Sequence, residues 1–294
     1  MFVSDRIVFV ELQKTGCTHI RNLLMELVGG QLVEKHNQVD PRMFRDGRCF
    51  LGSVRDPWDW YISNWAFSCD GQGEHFTYVA QEGFKIRSLG WRKHPLAALV
   101  RLLESRPNRH AAQWKRTFRD VNDAGAFREW LHMMHDESHR TELGEGYWRC
   151  GFSRFAGLMT FRYMKLYACK KGELGALRTV STPEQLAAVE RQQCFIDHFI
   201  RTENLEPDLL EALQQTGIEV PPAAAASMAA RPRTNTSSRK RGPEYYYDAT
   251  TEKLVGDREK LIVEKFGYRA PSERADLRGL EQERGSGSFS RPGK

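Results

Sequence analysis

Two short apolar runs constrain this chain more than any other feature. Ile7–Val10 (IVFV) and Cys49–Arg55 (CFLGSVR) are each followed by a polar turn and then a helical pattern. Runs of this length bounded by turn signals suit strands buried on both faces, as in parallel sheets. After the first run, a turn with one glycine leads into HIRNLLMELVG, a helix stopped by Gly29 and Gly30. After the second, Asp56-Pro57 marks a strand-to-helix junction, and DWYISNWAF has helical spacing. Pro57 suits the first helical turn, where an N–H would have no partner. Two such strand–turn–helix units predict an α/β fold with a central parallel sheet flanked by helices.

At 294 residues the chain is long enough for one large α/β domain or two small ones. A hydrophobic fraction of 40% supports a sizeable core and excludes a wholly disordered chain. No apolar run approaches the roughly 20 residues of a transmembrane helix. Asp5 and Arg6 precede only a short apolar run, which is unlike a signal peptide. The six cysteines have long, irregular gaps and no CxxC pair, so no thiolate zinc site is expected. Without an export signal they read as reduced thiols of a cytoplasmic protein. Lys and Arg total 44 against 38 Asp and Glu, a net charge of +6. That balance suits an anionic ligand or partner without naming it.

Further helices are expected at 95–104, 124–135, 183–200, 207–216 and about 251–266. The third carries apolar Leu186, Val189, Phe195, Ile196 and Phe199. PPAAAASMAA at 221–230 reads as a loop, followed by the basic stretch RPRTNTSSRKRG. The end from 271 is charged and Gly/Ser-rich and reads as a disordered tail.

Chemistry concentrates in two turns. Lys14-Thr15-Gly16-Cys17-Thr18 lies between a strand and a helix start, where backbone N–H groups and the helix dipole favour a phosphate or sulfate. Gly16 allows close backbone approach, Lys14 adds a charge, and the Thr15 and Thr18 hydroxyls add donors. Lysine precedes the glycine, so this is not the GxxxxGK[ST] loop of nucleoside-triphosphate enzymes. In the second turn, Arg55 ends a strand and Ser63 lies two turns into the next helix. Arg55 and Ser63 can hold one phosphate together, or Arg55 can simply pair with Asp59.

Taken together, the two turns resemble the sulfotransferases that use 3′-phosphoadenosine 5′-phosphosulfate (PAPS). KTGCT resembles that family's 5′-phosphosulfate loop, and VRDPWDWYISNW its 3′-phosphate element of an arginine, a proline and a serine. FIDHFIRTENLEPDLLEALQQTGI looks like that family's FENL-type segment, and NTSS…YYYDATTEKLVGDREKLIVEKFGY like the C-terminal segment of its carbohydrate sulfotransferase branch. Gln13 stands where proline is usual and His19 where serine is common. The resemblance implies a P-loop-like three-layer fold in one domain over 1–270. Residues 67–150 would be a mainly helical acceptor-side insertion, and 221–243 a basic nucleotide-side loop.

The resemblance also implies roles. Thr15, Gly16, Cys17, Thr18 and His19 would cradle the phosphosulfate, and Lys14 would stabilise charge on the leaving phosphate. Arg55 and Ser63 would bind the 3′-phosphate, with Arg239 and Ser237 or Ser238 reaching the nucleotide from the C-terminal loop. His36 would be the general base, since an unperturbed imidazole titrates near neutral pH; Glu34 is the runner-up and Glu11 a distant third. The acceptor would be a hydroxyl, of a glycan or small molecule, and no metal would be required.

Other readings fit less well. A P-loop kinase or NTPase lacks the right loop order, and a nucleic-acid binder needs a basic stripe, whereas the charges here are spread. His132, His135 and His139, at i, i+3 and i+7, could take a metal but read as an exposed helix face. The aromatic and basic stretch from Phe84 to Trp148 reads either as acceptor cleft or as core, and Tyr245–Tyr247 as packing or a loop platform.

Overall fold

A computed structural model describes residues 1–45, 47–80, 109–230 and 238–277. Five strands form one sheet: β1 Phe2–Val3, β2 Ile7–Val10, β3 Gln31–Leu32, β4 Cys49–Val54 and β5 His198–Arg201, in the order β3-β1-β2-β4-β5. The central trio β2, β4 and β5 is parallel, pairing Ile7 with Cys49 and Val54 with Arg201. β1 runs antiparallel to both neighbours, so the sheet is mixed but mostly parallel.

The helices, in chain order, are α1 Cys17–Leu27, α2 Pro57–Cys69, α3 Gly73–Ala80, α4 Ala111–Thr117, α5 Ala124–His135 and α6 Leu158–Tyr167. They continue as α7 Pro183–Gln193, α8 Leu205–Gln215, α9 Pro222–Ala229, α10 Pro243–Tyr246, α11 Ala249–Arg258 and α12 Lys260–Phe266. Alternation along the strands divides them into two layers. Ile7, Phe9 and Leu51 pack with Ile20, Leu23 and Leu24 of α1 and Leu209 and Leu213 of α8. Each such buried side chain contributes roughly 1.5–3 kcal/mol. Val8, Val10, Phe50 and Val54 face the other way, into a larger aromatic core with Trp60, Tyr61 and Trp65 of α2, Trp130 of α5 and Tyr167 of α6. Tyr167 binds the strand directly: its hydroxyl donates to Ser53 O at 2.8 Å and accepts from Ser53 N at 3.0 Å.

The strand–turn–helix units stand where the apolar runs place them, and α5 covers the expected 124–135. Several expectations need correction. The helix expected at 183–200 stops at Gln193, and His198–Arg201 is strand β5. Of its apolar residues, Phe199 serves the strand: it pairs with Gly52 of β4 and its ring meets those of Tyr163 and Tyr167. Residues 221–230 are largely helix α9, since an alanine run favours helix and Pro222 sits in the first turn. The last expected helix is two, α11 and α12, breaking at Glu259. Residues 271–277 are helical, and Arg274 pairs with Asp56 at 2.7 Å, so the tail does not begin at 271. His132, His135 and His139 do not share a helix face: α5 ends at His135, which is buried, and His139 lies in the next 3-10 turn. Trp114, Trp130 and Tyr246 are fully buried core, and Tyr247 is buried beside them. The helix expected at 95–104 and Trp91 lie outside the described residues. Among the described residues no helix is long and apolar enough to cross a membrane, and all six cysteines are free.

Candidate active site

The loops that follow β2, β4 and β5 meet at the C-terminal end of the parallel strands, the place where open α/β sheets bind ligands. They enclose a cavity of about 730 Å³. Its walls include Lys14, Gly16, Cys17, Thr18 and His19 from the first turn, Arg55 and Ser63 from the second, and His36 and Arg239. Segments more than two hundred residues apart in sequence therefore share one chamber.

The first turn owes its shape to backbone that few residues adopt. Lys14 has φ 64° and Gly16 φ 72°, the latter as N-cap of α1. A Cβ on Gly16 would also come within 2.9 Å of the Leu205 side chain. No side chain caps α1, and its first turn holds no acidic residue. Its N-terminal N–H groups thus present partial positive charge to the cavity. The turn is fastened from behind. Thr15 Oγ1 donates to Leu12 O at 2.8 Å and lies 2.6 Å from Ser53 Oγ, fully buried. Trp60 Nε1 donates to Gln13 O at 2.7 Å, and Arg55 Nη1 to Lys14 O at 3.0 Å. The Thr15 hydroxyl is therefore a fastener and not the ligand donor expected from the sequence. Thr18 does line the cavity, with Lys35 Nζ 3.5 Å from its hydroxyl.

Lys14 extends its ammonium over the Phe67 ring, 3.7 Å from the centroid. Burial, and then the neighbouring Arg55, pull its pKa down from 10.5 to about 8. Cys17 is pushed the other way, up to about 11, by burial and the Glu11 carboxylate, so its thiol stays protonated. At this position it offers backbone, and it is a poor nucleophile.

In the second turn, Asp56 caps α2 through its side chain, accepting from Asp59 N at 3.1 Å. Arg55 does pair with Asp59, Nε to Oδ2 at 2.7 Å, but the pair lies in the cavity wall. The other Asp59 oxygen takes Arg239 Nη2 at 2.5 Å. Burial disfavours the Asp59 charge, yet Arg55 and Arg239 outweigh it and hold the carboxyl below its usual range. One carboxylate thus orients two guanidiniums and leaves a net positive pair. Among the described residues, Arg239 Nη1 is buried without a hydrogen-bond partner, as is Asn64 Nδ2, one residue from Ser63; both residues line the cavity. An acceptor brought by a ligand would satisfy both donors. Ser238 turns away to Asp70, at 2.7 Å, and Ser237 lies outside the described residues.

His36 faces the first turn. Its Nδ1 is 2.9 Å from Glu11 O. A carbonyl can only accept, so Nδ1 donates and the lone pair of the neutral ring sits on Nε2. Glu34 does not line the cavity; it is exposed and accepts from Asn37 Nδ2 at 2.6 Å. Glu11 is fully buried, its carboxylate 3.0 Å from the Met1 amino group.

Sequence reasoning missed part of the wall: Asp59 as organiser, and Asn64, Phe67, His75, Arg162, Thr202 and Glu203. Asp59 was visible as the i+4 partner of Arg55, and Thr202-Glu203 as the residues just after a strand. Thr202 Oγ1 donates to Val54 O at 3.0 Å, and Glu203 accepts from Asp56 N at 2.7 Å. Arg162 gave no signal; it is 2% exposed and gripped by Glu145 at 2.7 Å. Among the described residues three non-glycines have left-handed backbone: Lys14, His36 and Glu145. The first two line the cavity and the third holds a residue that does. Such conformations cost roughly 1–3 kcal/mol each and collect at functional sites. Comparison with family models, with curated proteins and with solved structures finds no match for this chain.

Proposed function

We propose that this chain is a PAPS-dependent sulfotransferase, built on a P-loop-like sheet and working in a reducing cytoplasm, that sulfates a hydroxyl of a carbohydrate-class acceptor. One observation carries the reading: two anion-holding turns converge on one cavity, with a histidine base beside them. The Lys14–Thr18 turn suits the 5′ end of the donor, and Arg55, Ser63 and Arg239 suit its 3′-phosphate. Two separated anion sites favour a nucleotide charged at both ends over ATP, whose phosphates form one chain.

PAPS supplies an activated sulfuryl group; the protein's part is positioning and charge. The α1 N-terminus and Lys14 hold the negative charge that grows on the leaving phosphate oxygen. His36 Nε2 takes the proton of the acceptor hydroxyl as that oxygen bonds to sulfur and the sulfur–phosphate oxygen bond breaks. The resulting imidazolium keeps its Nδ1 hydrogen bond to Glu11 O.

Incubation of the full chain with radiolabelled PAPS and a panel of glycans, lipids and small alcohols tests this. Label transfer to a hydroxyl acceptor without added ATP supports it. Donor hydrolysis and acceptor labelling both at background would overturn it.

A further inference from the structure

We propose that His110, His139 and Glu142 form a binding site for a divalent transition-metal ion of the zinc type, separate from the nucleotide cavity. His110 Nδ1 lies 2.7 Å from Glu142 Oε1, and His139 Nδ1 lies 3.1 Å from Glu142 Oε2. One ligand atom from each residue lies within 4.8 Å of the others. Tetrahedral zinc, with bonds of about 2.0–2.1 Å, sets its ligand atoms roughly 3.3 Å apart. Small side-chain movements therefore suffice. The donor set, two imidazoles and a carboxylate without thiolate, suits zinc and its neighbours nickel and copper alike.

The surroundings match those of a metal site. Trp114 Nε1 donates to Glu142 Oε2 at 2.7 Å, the kind of outer hydrogen bond that fixes a ligating carboxylate. Burial opposes the Glu142 charge, but hydrogen bonds from Trp114, His110 and His139 prevail and hold its pKa below the ordinary value. His139 and Glu142 are buried, while the His110 side chain is 41% exposed and gives an ion a way in. With neutral rings, each Nδ1 donates its proton to the carboxylate. An entering ion takes those two positions, and both protons move to Nε2 of their own rings, so none is lost.

The site would fasten the start of α4 to the 3-10 segment Glu137–Glu142. Trp114 lies between this cluster and the cavity: its ring is 5.4 Å from that of His139 and 6.3 Å from that of His75, which lines the cavity. The ion would brace the cavity wall from behind and take no part in the transfer.

Titration of the chelator-stripped full chain with Co²⁺ tests the site. The expected result is uptake of a single equivalent, a tetrahedral visible spectrum with no thiolate charge-transfer band, displacement by Zn²⁺ and a higher melting temperature. His110→Ala and Glu142→Gln should abolish stoichiometric uptake, Trp114→Phe should weaken it about tenfold, and exposed His132→Ala should leave it unchanged. If Glu142→Gln does not fold, the half-exposed His110→Ala decides. Absence of stoichiometric uptake by the wild type, a thiolate band, or unaltered affinity in His110→Ala would overturn the proposal and leave a hydrogen-bonded triad. Sulfotransferase activity enters none of these readouts.

Discussion

Arg239 Nη2 lies 2.5 Å from Asp59 Oδ1, across a sequence separation of 180 residues. That contact brings the C-terminal basic loop to the head of α2, where Arg55 holds the other carboxylate oxygen. Nη1 of Arg239 is buried without a partner among the described residues, so the proposed reading gives this pair the 3′-phosphate. Arg239→Ala should weaken binding of adenosine 3′,5′-bisphosphate roughly 10- to 100-fold, the range of a charge-assisted hydrogen bond. Binding of 5′-AMP should change little. Calorimetric titration of both nucleotides checks this; equal losses for the two would place Arg239 elsewhere on the ligand.

Lys14 is charged below about pH 8 and neutral above it. Anion affinity should therefore be full at neutral pH and fall as pH rises through 8. A bound phosphate stabilises the ammonium and raises its pKa, so binding near pH 8 should take up protons. Heats measured in buffers of different ionisation enthalpy report that uptake, and Lys14→Met should remove it.

His36→Ala should lower transfer by about 10²- to 10⁴-fold, the usual contribution of a general base. Affinity for the bisphosphate should survive, because the phosphate-holding groups are elsewhere. Glu34→Gln should leave turnover near wild type, since Glu34 does not line the cavity. Turnover and affinity measured on the same preparations separate the two effects.

Glu259 gives a test independent of function. It is fully buried at the break between α11 and α12, accepting from Tyr61, Met159 and Thr160. Burial raises its pKa from 4.5 to about 7 despite the hydrogen bonds from Thr160, Tyr61 and Met159. Below pH 4.5 the group is protonated folded or unfolded. Between 4.5 and 7 the folded state keeps a proton that the unfolded state has lost, so stability falls as pH rises, by on the order of 3 kcal/mol in all. Glu259→Gln should flatten that slope in urea-denaturation profiles. It should also lower stability at every pH, because an amide has one acceptor oxygen for donors that now share two.

The sheet centre and the two turns were legible because short apolar runs, Gly16 and Asp56-Pro57 are local signals. Strand β5 was not. Phe199 and Ile200 fit the helical spacing of the preceding segment as well as a strand, and pairing with β4 decides between them. β1 is two residues long and owes its form to β2. At the site, the residue types were legible but the directions of their side chains were not. Thr15 looked like a ligand donor until Ser53 claimed its hydroxyl, a contact 38 residues apart. Asp59 looked like a surface partner of Arg55 until Arg239 arrived from the far end of the chain.

On the proposed reading the cavity binds a nucleotide charged at both its 3′ and 5′ ends. Calorimetric titration of the full chain with adenosine 3′,5′-bisphosphate, with 5′-AMP and ATP as comparators, tests it most directly. The expected result is one bisphosphate per chain, bound at least tenfold more tightly than 5′-AMP, as about 1.4 kcal/mol from a 3′-phosphate contact requires. No binding of the bisphosphate, or binding no tighter than that of 5′-AMP or ATP, would contradict it.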